Sequence, residues 1–443
     1  MKSKLKLVEG AIVAPKGFKA AGVFCDIKRL GTGKGSNKGN KRDLALIVSD
    51  TAATVAGMFT TNQVCAAPVK VCVARMKRGT AQAVVINSGN ANACTGKQGM
   101  ADALEMVGFT ERALILPKGS ALVGSTGRIG VTMPMDQVRA GIIEAAVQLG
   151  SSVEHAANAV EAIMTSDTRP KQIAVEFKLG GKTVRIGGMC KGAGMIQPGM
   201  SATGKRPAAF PAGLHATMLC FITTDARVAA KTLQACLQEA VALSFNRITV
   251  DGDMSTNDTV LVLANGMAGN AEVRGQRSEV RIFQEGLNYV CLELAKKIVR
   301  DGEGVHRVVT VRVNGAKSIV DADAAARAVA NSALVKTSWH GGDPNWGRII
   351  DAIGYSPATV VEEKIDIGYS ASGSKKILWS LKRGQPTKAT FKELCAAVAP
   401  KEFDLHINLN LGKAGAVMYA ADLTEEYVDF NKGDVGDPAS LGG

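Results

Sequence analysis

Over the first 130 residues, short runs of apolar and β-branched residues such as Leu44–Val48 and Ala83–Ile86 alternate with Gly, Asn and Ser turns, the pattern of a mixed sheet. The period then changes. Apolar residues three and four apart predict helices over Asp136–Leu149 and Glu154–Met164, the first with Asp136 placed to cap free amides. Two strands, Ile173–Leu179 and Thr183–Ile186, are separated by Gly180–Gly181, a two-residue hairpin signal. Further on, Phe221–Thr224 and Thr259–Ala264 read as extended and Ala230–Ser244 as helical, and Phe283–Arg300 reads as a long helix stopped by Asp301–Gly302. The last 130 residues predict strands at Val308–Val313, Ala358–Ile367, Asp404–Leu411 and Ala416–Tyr419, with a helix around Asp323–Asn331. Helices set against sheets in this way make an α+β chain, a layered α/β sandwich.

Length refines the picture: 443 residues exceed the roughly 250–300 that one core accommodates, so two domains or two processed fragments are expected. A 46% hydrophobic share is that of a globular protein, and no apolar run approaches the roughly 18 residues of a membrane span. The stretch Met1–Gly10 is basic without an apolar core, which predicts no secretory signal and a cytoplasmic protein. Nine cysteines, an odd number with no C-x-x-C pair, predict thiols in a reducing compartment. The five histidines form no H-E-x-x-H, so no metal site is indicated. The net charge of +13 raises nucleic acid as a partner, with Lys28, Arg29, Lys34, Lys38, Lys41 and Arg42 crowded in one glycine-rich stretch. That stretch lacks interleaved aromatics, so it reads as a solvated basic loop able to draw in anionic substrates rather than as a nucleic-acid or membrane surface.

The chemistry concentrates where Lys191–Ile196 (KGAGMI) is followed about 20 residues later by Leu214–Phe221 (LHATMLCF). A threonine hydroxyl is a poor nucleophile unless a base stands beside it, and a threonine at a new chain N-terminus carries that base in its own α-amine. Cleavage between Ala216 and Thr217 would therefore create an active site. Around it lie Asp43–Asp50 (DLALIVSD), Asn87–Gly96 (NSGNANACTG), Gly124–Gly130 (GSTGRIG), Met164–Thr168 (MTSDT), Asp251–Thr259 (DGDMSTNDT), Arg300–Gly304 (RDGEG), Asp343–Arg348 (DPNWGR) and Leu423–Val428 (LTEEYV).

In these segments, taken in this order and nearly end to end, the sequence resembles the ornithine acetyltransferase family, also called bifunctional glutamate N-acetyltransferase. The resemblance implies two interleaved domains and a precursor that cuts itself into residues 1–216 and 217–443. Thr217 would first attack the Ala216 carbonyl and then, as an N-terminal residue, carry acetyl from N-acetylornithine to glutamate. Thr126 and Gly127 are implied as the oxyanion hole, a role that a hydroxyl donor and a glycine amide suit. Thr168, Lys191, Thr217, Glu303 and Asn431 are implied as substrate-binding: Lys191 as charge partner of an α-carboxylate, Thr168 and Asn431 as donors, Glu303 for the ornithine ammonium. No metal or organic cofactor is implied. Some members also use acetyl-CoA as co-substrate, and the resemblance leaves that open. It further implies that the fragments stay together as a heterotetramer of two of each.

Three departures from the family pattern stand out. About 15 residues, 201–215, are inserted before Ala216–Thr217, which creates a second Ala–Thr pair at Ala202–Thr203. The Met218–Asp225 sequence that follows favours Thr217, with Thr203 the alternative. The insertion also creates Gly199–Arg206 (GMSATGKR), a phosphate-binding loop lacking the final hydroxyl that would hold Mg²⁺. Gly436 stands where the family places Thr or Ser, with Ser440 the nearby substitute. Two rival readings follow: a self-cleaving amidohydrolase or aminopeptidase, in which water resolves the acyl-enzyme, and an unprocessed, non-catalytic basic protein that binds anions.

Overall fold

In the computed structural model, which describes residues 5–28, 41–205, 218–275 and 278–432, one strand organises half the molecule. Leu44–Thr60 is 17 residues long. Its first part pairs antiparallel with Phe18–Val23 and Thr80–Asn90, and its last part with Thr259–Ala264. The resulting ten-stranded sheet runs Lys6–Leu7, Lys171–Leu179, Lys182–Lys191, Leu219–Thr224, Thr259–Ala264, Leu44–Thr60, Thr80–Asn90, Ala121–Arg128. Phe18–Val23 and Met200–Ser201 add to the long strand.

Leu219–Thr224 and Thr259–Ala264 lie parallel, side by side, flanked by strands from before position 217. Their residues are apolar at almost every position because both faces are covered. Leu219, Phe221, Leu261 and Leu263 join one core, with Ala67–Met76, Gly96–Ala113, Met135–Val147 and Val153–Ile163 as its helices. The alternate residues Cys220, Ile222, Val260 and Val262 join a second core with the helices Ala230–Leu243 and Ser278–Arg300. Gly124 on Ala121–Arg128 meets the Phe221 ring so closely that a Cβ there would lie 2.9 Å from it. The sheet thus curls over itself and brings the end of Ala121–Arg128 toward the centre.

A third core belongs to a seven-stranded sheet, ordered Ile248–Thr249, Ala414–Ala421, Val308–Ala316, Glu402–Asn408, Asp366–Ala371, Leu378–Lys382, Gln385–Pro386. The Asp343–Arg348 segment acts there as local architecture. The Asn345 side chain accepts from the Arg348 amide at 3.0 Å to cap the helix Trp346–Gly354 and donates to Asp343 at 2.9 Å.

The α+β class stands, and most elements fall where the apolar periods place them. Gly180 and Gly181 both take positive φ, 56° and 79°, as a tight hairpin of the right twist requires. Three expectations fail. Ala358–Ile367 is not a strand: a short 3-10 turn at Glu362–Lys364 precedes Asp366–Ala371, because Pro357 lacks an amide and the Glu–Glu–Lys run faces solvent. The N-terminal region also holds an 18-residue helix, Gly96–Ala113, hidden in the sequence by its glycines. Gly99 is required there, since a Cβ would sit 1.8 Å from the Thr95 hydroxyl. Asp136 lies in the first turn of its helix but pairs with Arg139 instead of capping amides.

All nine cysteines are free thiols. Among the described residues no helix is long and apolar enough to cross a membrane, and no cluster of His, Cys, Asp and Glu is arranged to hold a metal ion. The phosphate-loop-like segment forms a tight turn: Met200–Ser201 pairs with Phe59 and Thr60, the Ser201 hydroxyl donates to the Lys205 carbonyl, and Thr203 lies within the turn.

Candidate active site

Thr126 and Gly127 occupy the end of Ala121–Arg128, and Gly127 has φ 129°. A Cβ there would lie 2.3 Å from the Gly89 carbonyl carbon, so only glycine lets the two backbones meet. Asn257 holds this turn from the other side of the proposed cleavage point, donating to the Ser125 carbonyl at 2.8 Å and the Ala91 carbonyl at 2.7 Å.

Lys191 ends the strand Lys182–Lys191, and its ammonium donates to the Thr126 hydroxyl oxygen at 3.3 Å. Burial lowers the Lys191 pKa below its ordinary value, against the opposing pull of Asp167. Asp167 accepts from the Gly192 amide at 2.7 Å and from Lys171 at 2.6 Å. Burial alone would raise its carboxyl, but Lys191 and Lys171 hold it well below the usual carboxylate range. Lys171 also pairs with Asp301, at the C-terminal end of the long helix Ser278–Arg300. Asp301 in turn receives the Thr168 amide at 3.0 Å and the Thr168 hydroxyl.

Beyond Lys191 the chain turns through Gly192–Gly194. A Cβ on Gly194 would lie 2.5 Å from the Glu303 carboxylate, the Glu303 amide donates to the Ala193 carbonyl at 3.0 Å, and Asn431 donates to Glu303 at 3.0 Å. Asp251 fixes the next two residues, accepting from the Met195 amide at 2.6 Å and the Ile196 amide at 2.8 Å.

Thr126, Gly127, Lys191, Thr168, Glu303 and Asn431 are therefore linked around one strand end. Ala216, Thr217, Gly436 and Ser440 lie outside the described residues. The chain is described again from Met218, whose amide donates to Asp258 at 2.6 Å. The next residue, Leu219, pairs with Lys191. Four groups that bind this region together were not singled out in the sequence: Asp167, Lys171, Asp258 and Asn257. The motifs MTSDT and STNDT contain three of them, but apart from the Asp167–Lys171 pair, four residues apart, the partners described above lie tens to more than a hundred residues away.

This is a polar site at the meeting point of strands from both parts of an α+β chain, buried at Thr126 and Lys191 and open at Thr168 and Asn431, furnished with hydroxyl and amide donors and a lysine, as acyl-group transfer requires. The profile described as the ArgJ family matches residues 19–433, and the chain belongs to that family. The arginine biosynthesis bifunctional protein ArgJ of Symbiobacterium thermophilum is 46% identical over 429 residues, covering 96% of this chain and 99% of that protein. A glutamate N-acetyltransferase of Methanocaldococcus jannaschii is 43% identical over 435 residues, with the same coverage of 96% and 99%. A Mycobacterium tuberculosis ornithine acetyltransferase, solved with ornithine, is 35% identical and matches 45% of this chain and 100% of the solved one, with a TM-score of 0.40.

Proposed function

We propose that this chain is an ornithine acetyltransferase of arginine biosynthesis that moves acetyl from N-acetylornithine to glutamate through an ester on Thr217. The observation that carries the reading is the junction at the strand ends, where Lys191 meets Thr126 and pairs with Leu219, two residues after Thr217. The Thr217 hydroxyl attacks the acetyl carbonyl, its proton passes to the α-amine, and the Thr126 hydroxyl and Gly127 amide receive the oxyanion. Collapse breaks the amide bond and releases ornithine, which leaves with that proton. The glutamate amine then attacks the ester and restores the hydroxyl.

Lys191 pairs with the substrate α-carboxylate and Glu303 with the ornithine ammonium, while Asn431 contributes a donor. Thr168 already gives its hydroxyl proton to Asp301, so it donates to a substrate carboxylate only by leaving that partner. Neither metal nor organic cofactor takes part; acetyl-CoA serves as a second acetyl donor, as in bifunctional relatives. Fragments 1–216 and 217–443 remain associated after the cut, pair into a heterotetramer and work in the cytoplasm.

The test is intact-mass spectrometry of the purified protein beside Thr217→Ala, with acetylornithine turnover measured with and without glutamate. Two fragments broken at Ala216–Thr217 and glutamate-dependent turnover are expected. A cut at Ala202–Thr203 would move the nucleophile to Thr203, and glutamate-independent turnover would make the protein a hydrolase.

A further inference from the structure

Asp251 lies just past the short strand Ile248–Thr249, and both of its carboxyl oxygens are occupied. One accepts from the Met195 amide at 2.6 Å and from the Tyr427 hydroxyl at 3.2 Å, the other from the Ile196 amide at 2.8 Å and the Asp253 amide at 3.1 Å. It thus bridges two segments far apart in sequence. Met195 and Ile196 continue the Gly192–Gly194 turn, and Met195 takes φ 56°, a left-handed conformation that a non-glycine residue keeps where its surroundings fix it. Tyr427 belongs to the helix Glu425–Phe430, and Asn431 is the residue after it. Burial raises the Asp251 pKa while the three amides pull it down, and the contact with Tyr427 asks for an acceptor oxygen, not for a charge.

Glu303, the proposed partner of the ornithine ammonium, sits between these two segments. Its carboxylate lies against Gly194 on one side and accepts from Asn431 at 3.0 Å on the other. The helix is seated by its own first turn: the Thr424 hydroxyl donates to the Gly304 carbonyl at 2.7 Å and accepts from the Tyr427 amide at 3.0 Å, and the Tyr427 carbonyl accepts from the Asn431 side chain at 2.8 Å. The Tyr427 hydroxyl then carries the helix across to the loop. We propose that Tyr427 and Asp251 are positioning residues for the ammonium subsite, a brace that sets the gap between Gly194 and Asn431 in which Glu303 meets the donor, and so favours an acetylated amino acid with a side-chain ammonium. The inference rests on the acyl-transfer reading above. Glutamate has no side-chain cation and gains nothing from Glu303.

Tyr427→Phe removes one hydroxyl from a partly exposed ring. The two halves of the transfer are read separately, the first from kcat/KM for acetylornithine and the second from kcat/KM for glutamate. Without the brace the two walls are in place only part of the time, and the apparent affinity falls by that fraction. The variant's kcat/KM for acetylornithine should fall about fivefold to tenfold, the reach of one hydrogen bond, while that for glutamate stays within about twofold of wild type. Asp251→Asn turns one carboxyl oxygen into a donor and should lower the acetylornithine value at least as far. The double variant should lose no more than Asp251→Asn alone, because the hydroxyl acts through that carboxyl. Equal losses in both halves mark a merely structural role, and losses that multiply in the double variant mean that the hydroxyl acts elsewhere; either result, or an unchanged acetylornithine value, would overturn the proposal. Should Asp251→Asn fail to fold, the two kcat/KM values of Tyr427→Phe decide by themselves. A wild-type protein with no glutamate-dependent turnover would overturn this inference and the acyl-transfer reading together, whereas a glutamate-dependent enzyme without the selective loss would overturn the inference alone.

Discussion

Two stretches that stand out equally in the sequence have opposite fates. The residues around Lys191 and Asp258 draw their partners from far along the chain: Lys171 reaches Asp301 across 130 residues, and Asn257 reaches Ser125 across 132. Asp343–Arg348 satisfies its polar groups among its own six residues and in the adjoining helix Ala333–His340, where Arg348 donates to the Leu334 carbonyl at 2.8 Å. Local closure builds a helix cap. Long-range closure gathers ionisable groups out of water, where their pKa values shift and their charges act strongly on one another. The first kind of motif serves stability and the second serves chemistry.

Substitutions should separate the two. Thr217→Ala has the largest expected effect, abolishing both cleavage and acetyl transfer, as seen by a single mass and no acetylornithine turnover. Lys171→Ala breaks a buried pair and leaves Asp167 and Asp301 facing each other, which should cost about 3–5 kcal/mol in urea unfolding. The pH dependence has a defined sign. Because the Asp167 carboxyl is held low in the folded protein, its contribution is fully present above the unfolded value of about 3.9 and disappears as pH falls through the lower folded value. The raised Lys171 contributes in the opposite sense, with stability lost only as pH climbs through its folded value above the ordinary lysine range. Acid unfolding of the wild-type protein should therefore extend below about pH 4, and Lys171→Ala should unfold at a higher pH.

Thr126→Ala removes the proposed oxyanion donor and should lower kcat by about 10²–10³-fold with the melting temperature nearly unchanged. Asn345→Ala is the contrasting case. It should cost about 1 kcal/mol of stability through loss of the cap while kcat and KM stay at wild-type values. A large fall in kcat from Asn345→Ala would erase the distinction between the two regions.

The difference in range also accounts for what could be read in advance. Periodicity finds Thr259–Ala264 and the helix expected over Phe283–Arg300, which starts five residues earlier at Ser278, because each depends on its own residues facing one or two cores. Family motifs bring Thr126, Lys191, Glu303 and Asn431 to notice, and the fold joins them. The helix Gly96–Ala113 escapes because its glycines argue against helix unless the contact of Gly99 with Thr95 is known. Asp167 and Asp258 escape because their burial depends on contacts made by the fold: Asp167 has Lys171 four residues away, but Gly192 lies 25 from it and Met218 40 from Asp258. Val360 and Val361 mislead, since two β-branched residues beside a proline and a charged run do not make a ladder.

The placement of Leu219–Thr224 and Thr259–Ala264 between strands that precede them in the chain bears on what the proposed cut before Thr217 would leave. Neither piece can leave without unzipping the middle of a sheet, so separation of the halves is as slow as unfolding of the whole. Dilution would therefore not dissociate the nicked enzyme, and each half made alone would expose a long unpaired strand edge and aggregate. Production of the two halves as separate chains would succeed only when they fold together, so under the proposed cleavage the uncut chain would serve as an assembly aid for its own products.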